Sequence, residues 1–145
     1  MDFDFAALSR WPDVEAENLY AADAADRLLL DEAADALGAA APGGLAVIGD
    51  GYGALTLGAA ARHGVRGIRT HQDPLSGERA LAANAERFGL SDAHVALGLD
   101  EPLLSGARVV LLRLPRSLDA LDEIAEAIAR WARPDVRVFE IRDRE

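Results

Sequence analysis

Residues 47–55 read VIGDGYGAL, and this stretch decides how the rest of the chain is interpreted. It begins at the end of a short apolar run, and glycines follow at positions 49, 51 and 53 before an alanine-rich segment. Glycine allows the sharp turn that joins a buried strand to a helix, and the first turn of that helix presents unpaired N–H groups. The stretch therefore predicts a strand, a glycine turn and a helix, in that order.

Hydrophobic patterning on both sides of this turn predicts that strands and helices alternate. The strands are expected at residues 45–48, 65–70, 93–97, 109–114 and 136–141. The helices are expected at residues 18–37, 54–63, 76–88 and from 117 to about 131. Ser76 and Ser117 are the predicted N-caps of the last two helices. Alternation of this kind predicts a parallel sheet with helices on both faces.

The length of 145 residues suits a single folded domain with its own core. Residues 1–17 show no clear period and are predicted to form an N-terminal arm, which Trp11 and Pro12 pack against the body. The body is expected to comprise residues 18–145.

Composition excludes several kinds of function. The net charge is −10, cysteine and lysine are absent, and all 15 basic residues are arginine. Thiolate chemistry is therefore excluded. The acidic balance argues against this domain being the main nucleic-acid-binding surface, but it does not exclude a local arginine patch. His63, His71 and His94 fall on different elements, so no metal site is predicted. No apolar run approaches the roughly 20 residues that span a bilayer, so a cytoplasmic protein without membrane contact is expected.

The glycine turn has two interpretations at this level. Gly49, Gly51 and Ala54 fit the loose dinucleotide pattern, and Asp73 lies about twenty residues further on, where a carboxylate can hold ribose hydroxyls. The turn would then bind a nucleoside-type cofactor. Alternatively, the glycines serve only the turn geometry, because tight strand-to-helix connections need glycine in any case.

At the same turn the sequence resembles class I S-adenosylmethionine-dependent methyltransferases. The first motif of that family is a strand ending in an acidic residue, then GxGxG, a small residue and leucine. Gly49, Gly51 and Gly53 match these glycines, whereas the acidic position falls on Val47. Residues 80–90, ALAANAERFGL, look like the helix that follows the ribose-binding acid of the family.

Asp73 occurs about where that ribose-binding acid belongs. The resemblance therefore implies Gly49, Gly51, Gly53 and Asp73 as cofactor-binding positions, in a loop that has lost its acid.

The catalytic motif of methyltransferases that act on exocyclic amino groups of bases is Asn/Asp-Pro-Pro-aromatic, after the fourth strand. Residues 113–116 read RLPR and contain no carboxylate, amide or aromatic ring. The resemblance therefore implies no catalytic residue in this chain. Arg113 and Arg116 either contact an anion such as an RNA phosphate or pair with the nearby Asp119 and Asp122.

A narrower resemblance is to the N-terminal half of two-domain ribosomal RNA guanine-N2 methyltransferases of the RsmC/RlmG type. Residues 19–29, LYAADAADRLL, look like its opening helix, and residues 111–121, LLRLPRSLDAL, look like its segment after the fourth strand. In that family the first half is a degenerate methyltransferase fold, and the second half carries S-adenosylmethionine and the catalytic motif. The resemblance implies a non-catalytic domain that supports the fold or the RNA positioning of a catalytic domain, and that itself binds no cofactor.

The predicted fold is a three-layer, Rossmann-like α/β methyltransferase fold with a mostly parallel sheet in the order 3-2-1-4-5. Residues 18–145 would form an incomplete class I domain that stops after the fifth strand. That strand, from Val136 to Ile141, is left as an open edge, which a second copy or the catalytic domain of the same polypeptide could cover. Two alternatives remain: a small active methyltransferase using the loop from Gly49 to Gly53 with Asp73, and a dinucleotide-binding module.

Overall fold

The computed structural model describes residues 3–13, 22, 24–72 and 74–142. The strands are β1 (Leu45–Ile48), β2 (Ile68–His71), β3 (His94–Ala96), β4 (Val109–Leu114) and β5 (Arg137–Arg142). They form one sheet in the order β3-β2-β1-β4-β5, and every neighbouring pair is parallel. The predicted fold class and strand order are confirmed.

Helices connect these strands on both faces of the sheet. They are α1 (Ala24–Glu32), α2 (Ala34–Ala39), α3 (Ala54–His63), α4 (Leu75–Arg87), α5 (Glu101–Leu104) and α6 (Leu118–Trp131), with short 3-10 turns at Phe5–Ala7 and Ser91–Ala93. Within the described part of the chain, no helix combines the length and apolarity needed to cross a membrane.

Two helix predictions need correction. The single helix expected at residues 18–37 is two helices separated at Ala33, and residues 14–21 and 23 lie outside the described residues. Ser76 is not an N-cap, because α4 starts one residue before it, after Pro74. The ring of Pro74 fixes φ at −73° and the residue is extended, which suits the position just before a helix. The Ser117 cap is confirmed, since its side chain accepts a hydrogen bond from the Ala120 N–H at 3.2 Å.

Three strands differ from their predicted bounds. Strand β2 begins at Ile68 and not at residue 65, because Gly67 takes the left-handed conformation with φ of +64° and turns the chain. Strand β3 is shortened by the 3-10 turn that ends at Ala93. Strand β5 is shifted by one residue, to Arg137–Arg142. The bounds of β1, β4 and α3 agree with the sequence analysis.

The sheet is buried between two apolar layers. Alternate strand residues, such as Val47 and Leu111, face one cluster, which contains apolar residues of α1, α2, α3 and α4. Their neighbours, such as Ile48 and Leu112, face a second cluster, which contains residues of α5 and α6. Side chains alternate across a strand, so this two-sided burial explains why the central strands are continuously apolar.

The N-terminal arm packs differently from the prediction. Trp11 does not anchor it, since this side chain is 55% exposed. Phe3, Phe5 and Leu8 are buried instead and join the core cluster on the α1 face. The ring of Phe3 lies 4.9 Å from that of Phe5 and 4.8 Å from that of Phe88, measured between centroids. Apolar burial of these rings therefore holds the arm to the body.

Asn84 of α4 is the polar link between the arm and the glycine turn. It is fully buried, and its side-chain oxygen accepts from the Ser9 N–H at 2.9 Å. Its amide group donates to the carbonyl oxygens of Ser9 and Tyr52 at 2.9 and 2.8 Å. One side chain thus satisfies backbone groups of two segments that are far apart in sequence.

We expect Asn84→Ala to lower the free energy of unfolding by about 2–4 kcal/mol, because three partly buried backbone groups lose their hydrogen bonds to this side chain. Chemical denaturation measures this change, and limited proteolysis should show faster cleavage in residues 3–13. Glu86→Ala, on the exposed side of the same helix, is the matched control and should change stability by less than about 0.5 kcal/mol. Equal stability of the two variants would contradict the role given to Asn84.

Candidate cofactor cleft

A cleft of about 420 Å³ opens at the carboxyl ends of β1, β2 and β4. In the observed strand order, the winding direction reverses between β1 and β4. Ligands of open α/β sheets bind in the crevice outside the carboxyl ends of the strands at this reversal. The cleft therefore lies where a protein of this fold would hold a ligand.

The three glycines of the predicted loop line or adjoin this cleft in left-handed conformations. The φ angles of Gly49, Gly51 and Gly53 are +82°, +76° and +106°. A Cβ at Gly49 would lie 3.1 Å from the carbonyl oxygen of Arg113, and one at Gly53 would lie 2.8 Å from a methyl carbon of Leu81. Turn geometry and close packing therefore account for glycine at these two positions, and backbone conformation accounts for Gly51.

Asp50, inside the glycine turn, caps helix α3. Its carboxylate accepts the N–H of Leu55 through Oδ1 and that of Thr56 through Oδ2, both at 2.8 Å. The N-cap position itself is Gly53, which has no side chain to accept these bonds. The left-handed turn folds Asp50 back over the helix start, and the carboxylate is 1% exposed. Two of the N–H groups at the helix start, those of Leu55 and Thr56, are thus already bonded within the protein.

Arg113, at the end of β4, forms an ion pair with Asp26 of α1, which is 1% exposed. The predicted pairing with Asp119 or Asp122 is wrong. Arg113 has the same strand parity as Val109 and Leu111, which face the α1 side of the sheet, whereas α6 with both aspartates packs on the other face. Arg116 is exposed. The place of a catalytic motif is therefore occupied by a structural ion pair.

The end of β2 contributes His71 and Gln72 to the cleft. Gln72 is 5% exposed and donates from Nε2 to the Gly77 carbonyl oxygen at 3.2 Å. A Cβ at Gly77 would lie 2.4 Å from Oε1 of Gln72, so glycine there makes room for this amide. The ring nitrogen Nδ1 of His71 lies 2.9 Å from the Leu97 carbonyl oxygen. Asp73, the predicted ribose-binding residue, lies outside the described residues.

Val47, at the position of the lost acidic residue, is fully buried in the apolar cluster. Its side chain belongs to the core, and a carboxylate in its place would lose its hydration without a partner.

Tyr52, at the tip of the turn, is held by the N-terminal arm. Its hydroxyl donates to Asp13 Oδ2 at 2.7 Å and accepts from Arg10 Nη2 at 3.0 Å. The Arg10 guanidinium carbon also lies 5.4 Å from the centroid of the Tyr52 ring. Burial, followed by the hydrogen bond to Asp13, raises the pKa of Tyr52 above its ordinary value. The arm therefore fixes one wall of the cleft.

The charges that line the cleft are mostly negative. Asp13, Asp26, Asp50 and Glu123 line it, together with Arg113, which is paired with Asp26. Asp26 accepts a hydrogen bond from the Arg113 guanidinium, and Asp50 accepts two from backbone N–H groups. Both carboxylates are therefore bonded within the protein.

Sequence reasoning missed the structural roles of Asp50, Asn84 and Asp26. The sequence does indicate that Asn84 is buried, because it lies three residues after Leu81 and four after Ala80, on the same face of α4. No sequence pattern indicates the partners of Asp50 and Asp26. Those of Asp50 depend on the left-handed turn, and that of Asp26 depends on the packing of α1 on the sheet.

Solved structures share this fold. Geranyl diphosphate C-methyltransferase from Streptomyces coelicolor, in complex with Mg²⁺, geranyl diphosphate and S-adenosyl-L-homocysteine, superposes with a TM-score of 0.63 at 17% identity, over 81% of this chain and 44% of that chain. An S-adenosylmethionine-dependent methyltransferase from Geobacter sulfurreducens, in complex with S-adenosyl-L-homocysteine, gives a TM-score of 0.57 at 20% identity, over 78% of this chain and 47% of the other. Both similarities establish the Rossmann-like methyltransferase fold alone.

Curated relatives are closer in sequence. Ribosomal RNA large subunit methyltransferase G from Pseudomonas syringae pv. syringae is 33% identical over 133 residues, which cover 91% of this chain and 34% of that protein. The same enzyme from Pseudomonas savastanoi pv. phaseolicola is 32% identical over 132 residues, with 90% and 34% coverage. The chain thus spans about a third of the length of the curated relatives it matches.

The family profile of the RLMG N-terminal domain matches residues 1–142. The match includes the arm, the glycine turn and all five strands. The predicted resemblance to this group of proteins is therefore confirmed, and the chain belongs to the RLMG N-terminal domain family.

Proposed function

We propose that this chain is the non-catalytic N-terminal domain of an S-adenosylmethionine-dependent ribosomal RNA (guanine-N2) methyltransferase. Its role is to support the fold or the RNA positioning of a catalytic domain that lies outside this chain. The relatives named ribosomal RNA large subunit methyltransferase G, of which this chain matches a third, support the assignment to that class of enzyme. A cytoplasmic location is part of the same proposal.

The observation that carries the proposal is the capping of α3 by Asp50. In a cofactor loop, the backbone N–H groups at the helix start are available to a ligand. Here both N–H groups at Leu55 and Thr56 donate to the Asp50 carboxylate at 2.8 Å. A ligand would have to displace a buried carboxylate from two charge-assisted hydrogen bonds, which is costly.

S-adenosylmethionine also fits the rest of the cleft poorly. The family's acidic residue is replaced by Val47 in the core, so no carboxylate meets a ligand there. The ion pair of Arg113 with Asp26 occupies the end of the cleft where a methyltransferase keeps its catalytic amide or carboxylate. We therefore assign no cofactor to Gly49, Gly51 and Gly53 in this chain, and Asp73 stays a prediction.

A partner domain is expected at the edge of the sheet. Among the described residues β5 pairs with β4 alone, and Val138 on this edge is 41% exposed. An unpaired strand edge is a surface on which further chain can add. We propose that the catalytic domain of the same polypeptide covers it, and that in its absence a second copy of this chain can do so.

Titration calorimetry of residues 1–145 with S-adenosylmethionine tests the proposal. We expect no binding in the micromolar range, because the helix start and the end of β4 are occupied by side chains of the protein. Assays with ribosomal RNA should likewise show no methyl transfer by this chain alone. Micromolar binding would contradict the proposal, and loss of that binding in Asp73→Ala would then favour a small active methyltransferase.

Asp50→Ala should lower the free energy of unfolding by about 2–3 kcal/mol, because α3 loses a charged cap and two N–H groups lose their acceptor. A residue kept only for a ligand would show no such cost in the ligand-free protein. Asp122→Ala, on the exposed surface of α6, is the matched control and should stay within about 0.5 kcal/mol of the wild type. Chemical denaturation therefore distinguishes an Asp50 that caps α3 from an Asp50 that serves only a ligand.

A further inference from the structure

Three exposed apolar side chains surround the opening of the cleft. Trp11, Leu75 and Leu118 are 55%, 59% and 77% exposed. Within the described ranges three further large apolar side chains are exposed, and these are distributed over α1 and the two edge strands, at Leu28, Val95 and Val138. Half of the exposed large apolar side chains in these ranges are therefore gathered at one place. We call Trp11, Leu75 and Leu118 the cleft rim.

The sequence neighbours of the rim residues place the rim at the cleft. Leu75 and Leu118 are the first residues of α4 and α6, which start at the carboxyl end of the sheet. The residues on both sides of them line the cleft, namely Pro74 and Ser76 around Leu75, and Pro115 and Ala120 around Leu118. Trp11 follows Arg10, whose guanidinium donates to the hydroxyl of the cleft-lining Tyr52. The rim is therefore continuous with the cleft.

Negative charge dominates the cleft behind this rim. Among its described lining residues, four carboxylates stand against the one guanidinium of Arg113. Two of these carboxylates, those of Asp13 and Glu123, belong to exposed residues. A surface that is apolar at its rim and negative within is complementary to a polypeptide segment in which a lysine or arginine is flanked by apolar residues.

The polypeptide leaves the sheet beside the same cleft. Arg142, the last residue of β5, is in register with Leu114 of β4, and Leu114 lines the cleft. Neighbouring strands lie about 4.8 Å apart, so a segment that continues after β5 starts close to the rim. This chain covers 34% of a curated relative, which leaves about two-thirds of that protein outside the match.

We propose that the segment that joins β5 to the catalytic domain docks on the cleft rim and places a cationic side chain among the carboxylates of the cleft. The inference rests on the proposed function, because it requires a catalytic domain in the same polypeptide. Docking removes the apolar rim from water, and a cation beside Asp13 and Glu123 fixes the register of the segment. The cleft then joins two domains instead of holding a cofactor.

Photocrosslinking in the longer parent polypeptide tests the docking. p-Benzoylphenylalanine replaces Leu75 or Leu118, and mass spectrometry identifies the crosslinked peptides. Val95, which is exposed on the edge strand β3, is the matched control position. We expect positions 75 and 118 to crosslink, within one polypeptide, to the segment between β5 and the catalytic domain, and position 95 to form no such crosslink.

Removal of the apolar rim gives a second measurement. Because Leu75 and Leu118 are exposed, Leu75→Ser together with Leu118→Ser should leave the melting temperature of residues 1–145 unchanged. In the longer polypeptide the same variant should speed hydrogen exchange of the joining segment by about tenfold or more, because the segment loses its apolar contacts. Val95→Ser is the control and should leave this exchange unchanged.

The docking is overturned if the natural polypeptide ends at Glu145, or if the rim positions form no crosslink. Crosslinks to a second copy, to another protein or only to the catalytic domain would also overturn it, as would a rim variant that exchanges like the Val95 variant. Cofactor calorimetry fails independently of these results. Binding of S-adenosylmethionine by residues 1–145 would contradict the non-catalytic role, whereas missing crosslinks without such binding would contradict the docking alone.

Discussion

The two hydrogen bonds from the Asp50 carboxylate to the start of α3 are the constraint on which the rest of the cleft depends. Asp50 folds back toward the helix to accept them, within a turn in which Gly49, Gly51 and Gly53 have left-handed backbone conformations. The helix cap thereby accounts for the glycine-rich loop without a ligand. Since the cap comes from three residues before the N-cap position, the loop must keep its length as well as its glycines.

Polar groups in the other walls of the cleft are also bonded to groups of the protein itself. Asn84 donates to the carbonyl oxygens of Tyr52 and Ser9, so one side chain links the turn to the arm. The ion pair of Arg113 with Asp26 joins the end of β4 to α1. Buried polar groups of this kind must be paired, because an orphaned member costs more than the pair contributes.

The fold could be read from the sequence because its signals are local. Continuous apolar runs indicated β1 and β4, glycines marked the turn, and Ser117 marked the start of α6. The side-chain pairings in the cleft could not be predicted in this way. Arg113 pairs with a residue 87 positions away, and its choice of Asp26 over Asp119 depends on which face of β4 it occupies. The prediction that Trp11 packs the arm against the body was also wrong, since Trp11 is exposed and Phe3 and Phe5 are buried in the core instead.

We propose that Asp50 closes the start of α3 and makes it unavailable to S-adenosylmethionine. The most direct measurement follows the backbone amide resonances of Leu55 and Thr56 by NMR while S-adenosylmethionine is added to the wild-type chain. Closure of the helix start by Asp50 predicts that both amides remain protected from hydrogen exchange and keep their chemical shifts at millimolar cofactor. Saturable shifts of these two amides, at concentrations that leave exposed helices such as α6 unchanged, would contradict it.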